Sequence, residues 1–182
     1  MKNNLFIQDR DFLSEDQKRH INEVILQPNF PFYLQQNAAP ADGNEGLCHI
    51  GLARPELRPP ESDQFDFNSS FGPFALSMLN AFATKNKIKV KEMLRAAVNL
   101  TFATASGKSS THVDHNFDHT NLLIYLNDPE DKESATVLVD EGVEHRISPE
   151  KFKGICFEST PHYATFPKYG SRVVAAISFL EN

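Results

Sequence analysis

The sequence predicts a mainly β fold with flanking helices. After Lys87 the chain consists of short apolar or alternating segments whose lengths suit strands rather than helices. Polar turn segments separate them, and no helical periodicity interrupts the series. Such an unbroken series favours antiparallel pairing in a sandwich or barrel, because parallel strands need long crossover connections. The predicted strands are "MLRAAVNLTFA", "NLLIYLN", "ATVLVDE", "VEHRIS", "KGICFES" and "SRVVAAISFLE".

Two amphipathic helices are predicted before these strands. In "LSEDQKRHINEVILQP", Ser14 can cap a helix together with Gln17, and Pro28 ends it. The second helix, "PFALSMLNAFATKN", has Pro73 in its first turn. Its apolar stripe, which indicates core packing, consists of Phe74, Met78, Leu79 and Phe82.

The proline-rich segment 29–70 lies between the two helices. Its scattered apolar runs, such as "LCHIGLA", indicate irregular loops around an occasional strand. This segment and the "ASGKSST" loop are expected to act as lids over a pocket. We predict a single domain over residues 1–182, in which 1–86 form a helical and loop support and 87–182 form the β core.

Composition restricts the class of protein. The chain has 182 residues, 40% of them hydrophobic, and a net charge of −6 without basic clusters. Nucleic acid is therefore not expected as a partner. The sequence contains neither a signal-peptide pattern nor a long apolar run, so we expect a cytoplasmic protein without a membrane segment. Cys48 and Cys156 are expected to be reduced, buried thiols.

The segment "STHVDHNFDHTNLLIYLN" combines histidines and aspartates directly before an apolar strand. If "HVD" is a strand, His112 and Asp114 project to the same face and can bind one metal ion. A motif this short also arises by chance, as a solvated strand end. His162 follows the apolar strand "GICFES", where packing does not explain a polar side chain, and can supply a third ligand.

Two imidazoles and one carboxylate on one face of a metal leave adjacent positions open. This arrangement suits non-haem Fe(II) that handles oxygen. A structural zinc site would be closed by four ligands, and neither cysteine lies near these histidines in sequence. Zinc hydrolysis or isomerase chemistry stays open as an alternative, although it gives Arg172 no role.

Arg172 begins the apolar strand "RVVAAISF", where an unpaired charge would cost several kcal/mol. A dicarboxylate cosubstrate could be its partner, because guanidinium groups bind carboxylates in a bidentate manner. Tyr125 in "LLIYLN" could share the same anion through its hydroxyl, or it could be an ordinary core aromatic residue.

From "THVDHNFDHTNLLIYLN" to "VVAAISF", residues 94–179, the chain resembles the prolyl-4-hydroxylase type of Fe(II)- and 2-oxoglutarate-dependent oxygenase. Small phage and bacterial members are especially similar. The resemblance implies a double-stranded β-helix, that is, a cupin-like jelly roll. It also implies that His112, Asp114 and His162 bind iron and that Arg172 and Tyr125 bind 2-oxoglutarate.

The chain departs from the resemblance at Val174, where many relatives have a serine. Tyr125 or another hydroxyl, such as that of Thr136, is then expected to help bind the cosubstrate.

The expected activity is a 2-oxoglutarate-dependent dioxygenase that hydroxylates an unidentified substrate. A peptide, a free amino acid such as proline, or another small molecule would react with O2 and 2-oxoglutarate, giving succinate and CO2, with ascorbate as a reductant. The alternative is a catalytically inactive, cupin-like binding or structural module.

Of the other polar residues, Arg95 and Asn99 share a strand face and are expected to line the pocket. His115 and His119 are expected at the surface or beside the metal ligands, and His20, His49 and His145 in structural positions.

Overall fold

The computed structural model describes residues 5–36, 43–58 and 66–182. Its strands in chain order are β1 (Ile7–Asp9), β2 (Tyr33–Gln35), β3 (Gly46–Leu52), β4 (Val90–Phe102), β5 (Thr120–Tyr125), β6 (Ala135–Asp140), β7 (Val143–Ile147), β8 (Gly154–Glu158), β9 (His162–Thr165) and β10 (Ser171–Glu181). The helices are α1 (Glu15–His20), extended by a π-helical turn (Ile21–Ile25), a 3₁₀ turn (Pro55–Leu57) and α2 (Phe71–Asn86).

The strands form two antiparallel sheets. The major sheet has seven strands in the order β1-β8-β5-β10-β4-β3-β2, and the minor sheet has the order β7-β6-β9. The fold is a double-stranded β-helix, as the sequence predicts. Residues before 87 contribute more than helices and loops, since β1, β2 and β3 all belong to the major sheet.

Alternation along the central strands gives the major sheet two different faces. Val173 and Ala175 of β10 belong to the core between this sheet and the helices. Val174 and Ala176, one position on, belong to the core between the two sheets. Because side chains alternate between faces, Arg172 shares the inner face with Val174. The candidate site therefore lies between the sheets.

Both predicted helices are present. Ser14 caps α1: its Oγ accepts from the Gln17 N–H at 3.2 Å, and the Gln17 side chain accepts from the Ser14 N–H at 2.9 Å. Helix α2 begins two residues before Pro73, and its side chains Met78, Leu79 and Phe82 are fully buried against the outer face of the major sheet.

Two further sequence predictions can be compared with the structure. Cys48 and Cys156 are both buried, as expected. The six predicted strands after residue 87 are all present, and β9 is a strand that the sequence analysis did not predict. Within the described ranges, no helix has the length and apolar character needed to cross a membrane.

Candidate metal and cosubstrate site

The backbone brings His112 and His162 together. The His112 N–H donates to the His162 carbonyl at 3.0 Å, and the His162 N–H donates to the His112 carbonyl at 2.9 Å. The prediction that "HVD" lies in a regular strand is wrong, because His112 forms only this isolated bridge and Asp114 lies in a bend. His162, expected after a strand, is the first residue of β9. A single bridge is enough to place the two rings 4.6 Å apart, centre to centre.

Each ring is oriented by its own local backbone. Nδ1 of His112 lies 3.0 Å from the Ser110 carbonyl oxygen, and Nδ1 of His162 lies 2.9 Å from that of Thr160. A carbonyl can only accept, so each Nδ1 carries the hydrogen and Nε2 is left to bind a metal. Burial, and then the neighbouring His162 ring, lowers the pKa of His112. The imidazole is therefore neutral at pH 7, as a metal ligand must be.

Asp114 completes the group. One ligand atom each from His112, Asp114 and His162 lie within 4.8 Å of one another, and Asp114 Oδ2 is 3.5 Å from His162 Nε2. Its Oδ1 accepts from Arg54 Nη2 at 2.7 Å and from Arg95 Nη1 at 3.2 Å. Because both arginines bind Oδ1, Oδ2 is the oxygen available to a metal.

The electrostatics keep Asp114 ionised. Burial alone would raise the pKa of this carboxyl, but the guanidinium groups of Arg95 and Arg54 hold it well below its usual range. Arg54 also donates to the Asp114 carbonyl oxygen, so it fixes both the backbone and the side chain of this residue.

A second polar group lies between the sheets, around Arg172. Its Nη2 donates to Thr136 Oγ1 at 2.6 Å, and the Tyr125 hydroxyl donates to the same oxygen at 2.9 Å. The guanidinium carbon lies 5.5 Å from the centre of the Tyr125 ring. All three side chains are buried, and no carboxylate of the described residues forms an ion pair with Arg172.

Burial shifts the pKa of two of these side chains, Arg172 and Tyr125. It lowers the pKa of Arg172 and raises the pKa of Tyr125, because both charged forms lose hydration. Arg172 Nε is also buried without a hydrogen-bond acceptor among the described residues. A buried donor without a partner costs free energy, so this atom indicates that a bound anion belongs here.

One pocket connects the two groups. It is partly open to solvent, and its lining includes His112, Asp114, His162, Arg172 and Thr136. Val174 lines it too, in the position where many relatives of the predicted family have a serine. Thr136, on the opposite sheet, supplies the hydroxyl beside Arg172 instead.

The donor set fits Fe(II) and 2-oxoglutarate. Two imidazoles and one carboxylate form the 2-His-1-carboxylate group typical of oxygen-handling iron. In the described part of the chain no cysteine, third histidine or second carboxylate joins this group, so it differs from a closed structural zinc site. The unpaired Arg172 suits one carboxylate of a dicarboxylate.

Other polar residues differ in how well the sequence anticipated them. Arg95 and Asn99 line the pocket, as expected. His115 is buried, with Nδ1 2.9 Å from Glu56 Oε1 and Nε2 2.7 Å from Ser178 Oγ. Arg54 was missed, because nothing in the proline-rich segment distinguishes it from a surface arginine.

The structure describes only part of the two segments that were predicted to act as lids. Gln35, Gly46, Leu47 and Arg54 of the proline-rich segment line the pocket, as does Ser109 of the "ASGKSST" loop. Residues 37–42 and 59–65 of the proline-rich segment lie outside the described residues.

Comparison with solved structures agrees with this architecture. A 2OG-Fe(II) oxygenase family oxidoreductase from Burkholderia pseudomallei is similar with a TM-score of 0.74 at 13% identity, over 96% of this chain and 84% of that one. A prolyl hydroxylase from Trichoplax adhaerens, in complex with a hypoxia inducible factor peptide fragment, has a TM-score of 0.66 at 16% identity, over 98% and 84% of the chains. A Pseudomonas putida prolyl-4-hydroxylase has a TM-score of 0.62 at 16% identity, over 99% and 94%.

No family model and no curated protein sequence matches the chain. At these identities the structural likenesses show the fold alone. This fold is shared by 2-oxoglutarate-dependent oxygenases, among them prolyl hydroxylases. The fold implied by the sequence resemblance is thereby confirmed.

Proposed function

We propose that this protein is an Fe(II)- and 2-oxoglutarate-dependent dioxygenase that hydroxylates a free or peptidyl amino acid, with proline as one candidate. One observation carries the proposal: His112, Asp114 and His162 converge in the same pocket as a buried arginine that has no carboxylate partner among the described residues. A binding or structural module with this fold would need neither feature. The buried free thiol of Cys48 favours a reducing compartment such as the cytoplasm.

His112, Asp114 and His162 would hold the iron. Bound iron and 2-oxoglutarate supply the oxidising chemistry, in which O2 is reduced, a substrate C–H bond is hydroxylated, and succinate and CO2 are released. The protein contributes geometry. The Ser110 and Thr160 carbonyls fix the two rings, and Arg54 and Arg95 fix the carboxylate.

Arg172 would bind the distal carboxylate of 2-oxoglutarate. Its unpaired Nε offers a donor, and the Tyr125 and Thr136 hydroxyls lie beside it. Leu123, Val174 and Ala176 form an apolar wall of the same pocket. Such a wall excludes water and strengthens the ion pair between guanidinium and carboxylate.

The test is succinate formation by purified protein with Fe(II), 2-oxoglutarate and ascorbate. Wild-type protein should release succinate even without a prime substrate, and His112→Ala should not. Equal rates for the two proteins would reject the enzyme and leave the binding module.

Calorimetry tests the cosubstrate site separately, with Mn(II) in place of iron. Arg172→Gln should weaken 2-oxoglutarate binding at least 30-fold, about 2 kcal/mol, because it removes the charge of a buried hydrogen-bonded pair. Mn(II) affinity should stay within twofold. Unchanged 2-oxoglutarate affinity would exclude this role for Arg172.

A further inference from the structure

Two arginines share the carboxylate of Asp114, one of the proposed metal ligands. Both Arg54 and Arg95 bind Asp114 Oδ1, and their side chains are only 23% and 15% exposed. The Nε and Nη2 of Arg95 have no acceptor among the described residues. Two partly buried guanidinium groups on one carboxylate leave a positive charge uncompensated, which is costly at low dielectric.

The charges of the pocket do not balance. Its described lining contains three arginines and one carboxylate, so with neutral histidines its net charge is +3 − 1 = +2. Adding Fe(II) and the 2-oxoglutarate dianion leaves this total unchanged. Glu56 lies close enough to act on Arg54, and counting its carboxylate lowers the total from +2 to +1. At least one positive charge therefore remains among the described residues.

The cosubstrate has no carboxylate left for these arginines. In the proposed function one carboxylate pairs with Arg172 and the other binds the metal. Arg172 lies opposite Thr101 in the β10–β4 ladder, and Thr101 is six residues after Arg95 along β4. At about 3.3 Å per residue, the two backbone positions are roughly 20 Å apart.

We propose that the substrate itself carries a carboxylate, and that Arg95 and Arg54 bind it beside the metal. This inference rests on the proposed function and narrows its substrate class to acids, such as a free amino acid or a peptide with a free C-terminus. A carboxylate matches the planar donors of guanidinium, and Asn99, on the same strand face as Arg95, offers further hydrogen bonds in the pocket.

Matched pairs of probes test the charge directly. Free L-amino acids and N-acetyl-L-amino acids are compared with the corresponding primary amides, which differ only in the carboxylate. Each is assayed for stimulation of succinate release and for calorimetric binding to protein loaded with Mn(II) and 2-oxoglutarate. At least one acid should act at a concentration tenfold or more below that of its amide.

The outcomes separate this inference from the proposed function. No succinate above the His112→Ala background would reject the enzyme itself. Two results would overturn the carboxylate inference while still supporting the proposed enzyme. In the first, the protein makes basal succinate but no acid binds or stimulates it. In the second, the amides are as effective as the acids. Stimulation by N-acetylated acids alone would indicate a peptide C-terminus.

A variant tests whether Arg95 binds the substrate carboxylate. Arg95→Gln should weaken acid binding at least tenfold while leaving amide binding within twofold, with Mn(II) affinity measured in parallel because Arg95 also contacts Asp114. The control is Arg146→Gln, which alters an exposed arginine in β7. Equal losses for acid and amide would show that Arg95 only positions Asp114, and loss of 2-oxoglutarate binding alone would assign it to the cosubstrate.

Discussion

Thr136 is the acceptor on which the proposed cosubstrate site depends. Its Oγ1 accepts from Arg172 Nη2 at 2.6 Å and from the Tyr125 hydroxyl at 2.9 Å, and only 1% of the residue is exposed. The bonds join β10 and β5 of the major sheet to β6 of the minor sheet. Thr136→Val keeps the shape of the side chain and removes this oxygen.

The expected loss follows from the two donors left unpaired. Each buried donor without an acceptor costs about 1–3 kcal/mol, with the charged guanidinium at the upper end. Replacing a buried hydroxyl by a methyl group returns about 1 kcal/mol. The net destabilisation of the protein without ligands is therefore about 3 kcal/mol, roughly 150-fold in the folding equilibrium.

Urea unfolding of the wild type, the single variants and a double variant measures this value. Thr136→Ser keeps the oxygen and loses one methyl group, so it should cost only about 1 kcal/mol. In the Tyr125→Phe background, Thr136→Val should cost about 1 kcal/mol less than in the wild type, because one donor is already gone. If Thr136→Val unfolds within about 0.5 kcal/mol of Thr136→Ser, the buried link does not stabilise the protein.

Three further perturbations probe other parts of the chain. Asp9→Asn should lower the free energy of unfolding by about 0.5–1 kcal/mol at pH 7. Burial raises the pKa of Asp9, but hydrogen bonds from the Asp11 N–H, Lys85 and Asn86 outweigh burial and lower this pKa overall. A lowered carboxyl pKa stabilises the fold above about pH 4, so the difference between the two urea curves should vanish as the pH falls further. Ser14→Ala should cost about 1 kcal/mol by removing the cap of α1, with Ser14→Asp close to wild type in thermal unfolding. Asp114→Asn should destabilise the metal-free protein by about 3 kcal/mol, because two guanidinium groups lose their counter-ion. It should also abolish the rise in Tm on adding Mn(II); an unchanged rise would mean that the metal binds elsewhere.

The β core could be predicted because alternation and turn chemistry are local signals. β5, β6, β8 and β10 are short apolar runs with polar turns between them, and their inner and outer faces follow from a period of two. β9 escaped prediction because "HYAT" is too short and too polar to show that period. Its partner β6 and the bridge to His112 make it a strand, and neither contact is local in sequence.

The candidate site, like the fold, could be predicted only in part. The proximity of His112, Asp114 and His162 was expected from their residue types and order, and an anion for Arg172 was expected from the cost of a buried charge. Arg54 could not be assigned, because its contact with Asp114 spans sixty residues of chain. Nothing local distinguishes Thr136 from the other residues of its strand either.

The bridge between His112 and His162 bears on how the protein would acquire its metal. Because the bridge sets the spacing of both imidazoles without any ion, little ordering entropy remains to be lost on metal uptake. A prearranged cage of two nitrogens and one oxygen does not select Fe(II), since cobalt, nickel, copper and zinc all bind such donors more tightly. Iron occupancy in the cell would then depend on the supply of competing ions, and zinc would act as a natural inhibitor.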